Sequence, residues 1–107
     1  MIRIVYRRDK HAVCIRGHAG SGESGHDLIC AAVSILAYTL ASCVMRMKKT
    51  GEATDSIAVL RSGEAKIACT PTKEMSGEVT REMDAICEGF KILAGEFPEN
   101  VVFERMG

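Results

Sequence analysis

The residues with the most chemistry in this chain stand in one stretch, GHAGSGESGHDLICAAVS, residues 17–34. It holds His18, His26, Asp27 and Cys30, with a glycine-rich segment after His18. A cysteine is a strong nucleophile only as thiolate, and a free thiol has a pKa of about 8.5. A helix start and a nearby histidine both favour the thiolate. Asp27 is of the type that caps helices, since its carboxylate accepts bonds from first-turn amides. With Asp27 as the cap, Cys30 is the third helical residue, in the positive field of the helix start. Those amides would also suit an oxyanion hole, in competition with Asp27.

His18 closes a strand-like segment, and Ala19 to His26 leads from it to the helix. Eight residues span up to about 28 Å, so His18 can return to Cys30. Gly20, Gly22 and Gly25 accept positive φ and close peptide approach. Together with Ser21, Glu23 and Ser24 they read as a flexible loop that orders over substrate. Ser34 lies one turn after Cys30, where it can bond substrate backbone or the carbonyl of residue 30. His26 is a rival base, nearer in sequence. Other chemistries fit less well. No Gly-Lys-Ser/Thr follows the glycines, so this is not a P-loop. Cys30, His18 and His26 make three metal ligands with no clear fourth, so no metal is expected. The bland reading is a core cysteine and a histidine bonded to its own loop.

The elements around this stretch follow from periodicity. Met1 to Arg7 alternates, with Ile2, Ile4 and Tyr6 on one face, and Ala12 to His18 makes a hairpin with it. Leu28 to Met45 is 18 residues without a charge, long enough to raise a membrane span. Ser34, Tyr38, Thr39 and Ser42 argue instead for a buried domain helix, with Leu28, Ile35, Leu36, Leu40 and Val44 as core. Cys30, Ser34, Tyr38 and Ser42 are each four apart and form one stripe, facing a cleft, a sheet or a partner chain. Residues 48–54 read as a polar exit. Strands are expected over 55–61 and 64–70, joined at Ser62-Gly63. A helix is expected over 77–94, with Ser76 and Gly95 as caps, and a last strand at 101–103. The order ββαββαβ predicts an α+β fold, a mainly antiparallel sheet packed against two helices, the first long and buried.

Composition bounds the rest. The 107 residues, 47% hydrophobic, form one domain spanning residues 1–107. Fourteen basic and fourteen acidic residues cancel, which weighs against direct nucleic-acid binding. Cys14, Cys30, Cys43, Cys69 and Cys87 are odd in number and contain no CxxC pair. Free thiols in a reducing cytoplasm are expected, with Cys14, Cys43, Cys69 and Cys87 in packing and His11 solvated in a turn.

Gly17-His18-Ala19, then Gly25-His26-Asp27, Leu28-Ile29 and Cys30-Ala31-Ala32-Val33-Ser34 resemble the ribosomal-processing cysteine protease (Prp, or YsxB-like) family. The element order and length are similar as well. The resemblance implies a small cytoplasmic homodimeric endopeptidase. It would remove the short N-terminal extension of bacterial large-subunit ribosomal protein twenty-seven. It implies Cys30 as nucleophile, His18 as general base, Asp27 and Ser34 in support, and no cofactor. The competing functions are a non-catalytic ribosome-associated binding module and a redox-sensing thiol protein. Loss of activity in Cys30→Ala separates the first from the protease, and a Cys14–Cys30 disulfide would mark the second.

Overall fold

The computed structural model describes residues 1–18, the backbone from Ser24 and side chains from Leu28 to Gly107. The chain runs β1 (Ile2–Arg7), β2 (Ala12–Gly17), α1 (Ser24–Thr50), β3 (Ala53–Arg61), β4 (Glu64–Pro71), α2 (Ser76–Glu96) and β5 (Val101–Met106). This is the predicted ββαββαβ order. The five strands lie in the order β3-β4-β2-β1-β5. All neighbours are antiparallel except β1 and β5, because the connection through β2, both helices and β3–β4 returns β5 in the direction of β1.

Alternation decides which face is buried. Ile2, Ile4 and Tyr6 of β1, Val13 and Ile15 of β2, and Ala65, Ile67 and Cys69 of β4 turn to the helices. They meet Ile29, Val33, Ala37, Leu40, Val44 and Met47 of α1 and Val79, Met83, Cys87 and Phe90 of α2. Full burial of each large side chain among them, such as Ile4, Leu40 or Phe90, contributes about 1.5–3 kcal/mol. α1 packs across β3 and β4 and against α2. Among the described residues no charged side chain is fully buried, while Tyr6 takes its hydroxyl into the core at 1% exposure.

Several boundaries and placements differ from expectation. α1 begins at Ser24, so Asp27 is the fourth helical residue rather than the cap. Nothing in Ser24-Gly25-His26 forbids helix, and extending a formed helix by a turn costs little. At the other end α1 runs through Lys48 and Lys49 to Thr50, where those cations suit the negative end of the dipole. Gly51, at φ 84°, stops it. Ser76 and Gly95 are inside α2, whose flanking residues are Met75 and Phe97. β5 continues past Phe103 to Met106, paired along the whole of β1.

Residues 28–50 are long and apolar enough to cross a membrane by length and composition. One side of α1 is nevertheless built into the core, while Leu28 is 74% exposed and Ile35 63%. These two are therefore not core residues, and α1 is not buried all round. An 18-residue uncharged run conceals this, because it has apolar side chains on both faces and only the sheet selects one. His11 is half-buried, not solvated; its Nε2 donates to Thr80 Oγ1 at 2.8 Å, since the Thr80 proton goes to the Ser76 carbonyl. All five cysteines are free. Cys69 and Cys87 are buried, Cys43 packs against the core, and Cys14 is half-buried on the sheet face away from the helices.

Candidate active site

His18 sits just beyond β2, and its approach is set by backbone geometry. Gly17 has φ 102°, and a Cβ there would stand 2.1 Å from the Met1 carbonyl oxygen, so only glycine fits. The Gly17 amide donates to the Gly63 carbonyl at 2.9 Å, and the Met1 amino group donates to the His18 carbonyl at 2.6 Å. Antiparallel pairing of β2 with β4 puts Arg16 opposite Glu64. It therefore brings the β3–β4 turn to the same sheet end as His18.

Cys30 is the seventh residue of α1, half-exposed. It lies beyond the first turn, where the helix-dipole effect fades. Its own amide is within the helical ladder, so the first-turn oxyanion hole expected from Asp27 capping does not include it. His18, Cys30, Ser34 and Tyr38 line one cleft of about 450 Å³. Its floor is apolar, with Ile2, Ile15, Val33 and Leu60, and its rim is the turn Arg61-Ser62-Gly63-Glu64. Three members of the stripe expected to face a cleft, a sheet or a partner thus face a cleft. Ser34 is exposed, and among the described residues its hydroxyl makes no hydrogen bond, including to the carbonyl of residue 30. The sequence puts Tyr38 on the stripe but assigns it no site role. From sequence the turn at Ser62-Gly63 reads only as a hairpin, since no local signal says which end of a sheet a turn will reach.

Gly20, Ser21, Gly22 and Glu23 lie outside the described residues, as do the side chains of Ser24, His26 and Asp27. Ser24 and Gly25 belong to α1, so the connection from His18 to the helix is residues 19–23, shorter than the loop expected. β2 has β4 on one side and β1 on the other, so it offers no free edge for a peptide strand. Burial holds the Cys69 thiol up at about 11 and the Cys87 thiol at about 12, well away from nucleophilic use. Cys14 lies across the sheet from α1, which removes it as a resolving partner for Cys30. Among the described residues no group of three or more His, Cys, Asp or Glu side chains could hold a metal ion.

A family model described as cysteine protease Prp matches residues 1–102. The chain belongs to the cysteine protease Prp family. It is a cysteine protease. Among solved structures, SMU.848 from Streptococcus mutans is 30% identical, with a TM-score of 0.68 over 98% of this chain and 91% of that one. The S. aureus ribosomal processing protease Prp in complex with a substrate peptide has a TM-score of 0.70 at 18% identity, covering 97% and 96% of the two chains. The same S. aureus protease with a covalently linked product peptide gives 0.67 at 18% identity and the same coverage. At that identity the likeness is one of fold. No curated protein sequence matches the chain significantly.

Proposed function

We propose that this Prp-family protease removes the short N-terminal extension of bacterial large-subunit ribosomal protein twenty-seven and so supports ribosome assembly. The observation that carries the reading is that His18, at the end of β2, and Cys30, on α1, line the same cleft in a chain of this family. The S. aureus structures, with a substrate peptide and a covalently linked product peptide, favour a peptide substrate and a covalent step.

In the proposed reaction His18 takes the Cys30 proton and the thiolate attacks the scissile carbonyl. The tetrahedral intermediate collapses as His18 protonates the leaving amine, giving a thioester. His18 then activates water, which hydrolyses the thioester and returns the proton to sulfur. Because Cys30 is past the first turn of α1, His18 supplies most of its activation. Ser34 bonds substrate backbone, its hydroxyl making no hydrogen bond among the described residues. Asp27, three residues before Cys30 in the chain, orients His18. The segment Gly20, Ser21, Gly22, Glu23, Ser24 and Gly25 contacts the bound peptide.

The enzyme acts in the cytoplasm, needs no metal or organic cofactor, and does not contact nucleic acid directly. It works as a homodimer. The exposed stripe Leu28, Ile35, Tyr38 and Met45, spaced seven, three and seven along α1, favours a second copy of the chain over that face.

The test uses the purified protein and peptides copied from ribosomal-protein N-termini. Cleavage at one site, resistant to EDTA and abolished by alkylation of Cys30 alone, is expected. Undiminished cleavage by Cys30→Ser or His18→Ala would sink the assignment.

A further inference from the structure

We infer that the β3–β4 turn, through Gly63, is the positioning element for the His18 imidazole; this rests on His18 being the base of the proposed site. Gly63 has φ 76°, and a Cβ built on it would lie 2.6 Å from His18 Nε2 and 3.1 Å from Cε1. The imidazole therefore rests directly on the Gly63 α-carbon. The contact is tied into the backbone on both sides. The Gly63 carbonyl holds the Gly17 amide at 2.9 Å, and Met1 holds the His18 carbonyl at 2.6 Å. Among the described residues the His18 ring makes no hydrogen bond, so on this side shape sets its position. The turn forms a wall that keeps the ring at the cleft, whatever Asp27 adds from the helix.

A methyl group at position 63 cannot be accommodated without moving the ring. At 2.6 Å the new carbon is 0.8 Å inside the 3.4 Å where ordinary contact begins. Displacement of a reacting group by about 1 Å costs on the order of 100-fold in rate. Gly51 provides an internal control, because it has φ 84° and nothing within 4 Å of its Cβ position. Gly51→Ala carries the backbone strain of a positive φ without the contact.

The experiment compares Gly63→Ala, Gly51→Ala, His18→Ala and the Gly63→Ala/His18→Ala double variant. Gly63→Ala is expected to lower kcat about 100-fold with KM little changed. The pH profile of Cys30 alkylation, followed at that peptide by mass spectrometry, should move onto the His18→Ala profile. Its melting temperature should fall further than that of Gly51→Ala, and the excess should vanish when His18 is also alanine. A Gly63→Ala protein that folds only in the His18→Ala background supports the contact equally. An excess loss of stability that persists without His18, or failure to fold in both backgrounds, overturns it. So does an unchanged alkylation profile when wild type and His18→Ala differ. Identical profiles for wild type and His18→Ala would overturn the base assignment itself. The melting comparison needs no substrate and reports the Gly63–His18 contact separately.

Discussion

Asp84 on α2 accepts the Tyr6 hydroxyl at 2.7 Å and a forked pair from Arg8, Nε at 3.0 Å and Nη2 at 3.0 Å. Tyr6 is 1% exposed, so its hydroxyl depends on this partner. The Arg8 guanidinium, with the Tyr6 bond, holds the Asp84 carboxyl below the usual carboxylate range. A carboxyl lowered in the fold binds fewer protons there than in the unfolded chain. Its stabilisation is complete above about pH 4 and disappears as the pH falls through the folded value. His11 is lowered too, first by burial and then by Arg8. It therefore removes stability as the pH falls below about 6.5, levelling off under its folded value. Urea unfolding from pH 7.5 to 3 should show both losses. Asp84→Asn should lack the acid one, and His11→Asn the one nearer neutrality. An Asp84→Asn curve parallel to wild type throughout would contradict the Asp84 assignment.

At the scale of elements, α1 and α2 meet closely where α2 carries glycine. A Cβ on Gly89 would stand 2.7 Å from Leu36 Cδ2, whereas one on Gly95 would meet nothing within 4 Å. The same substitution should thus have opposite signs on one helix. Gly95→Ala, exposed in the last turn, gains about 0.5–1 kcal/mol by reducing unfolded-state freedom and improving helix propensity. Gly89→Ala has that gain offset by overpacking worth about 1–3 kcal/mol, for a net loss of about 1. Denaturant midpoints of the two variants check the pair. Stabilisation by Gly89→Ala would mean that Leu36 yields without cost.

For the whole molecule, the asymmetry of α1 matters most. Its inner face carries the core, and its outer face exposes Ile35 and Tyr38, with Tyr38 also on the cleft wall. A stable interface buries about 800 Å² on each partner. A second copy laid along α1 would cover this stripe and lie beside the cleft. Ile35→Lys should leave the monomer fold intact, since Ile35 is 63% exposed. It should convert a dimer to monomer in sedimentation, with loss of the concentration dependence of melting. A wild-type protein that sediments as monomer at tens of micromolar would end the dimer proposal.

The strands, both helices and the α+β order were legible because alternation at Ile2-Ile4-Tyr6 and helical spacing at Val79-Met83-Cys87-Phe90 are local signals. That His18 and Cys30 share a cleft was legible only as a possibility, since a five- or eight-residue connection permits many return paths. The tertiary structure decided what local pattern leaves open. It chose the buried side of α1 and put Leu28 and Ile35 outside. It moved Asp27 from the cap into the helix and closed both edges of β2. It also carried Gly63 to His18. That contact depends on β4 pairing antiparallel with β2, a choice made between segments some fifty residues apart. The amino-acid sequence by itself determined which residues could carry the chemistry, because residue type and local spacing are its own properties. Which of them share a cleft is a property of the packed sheet.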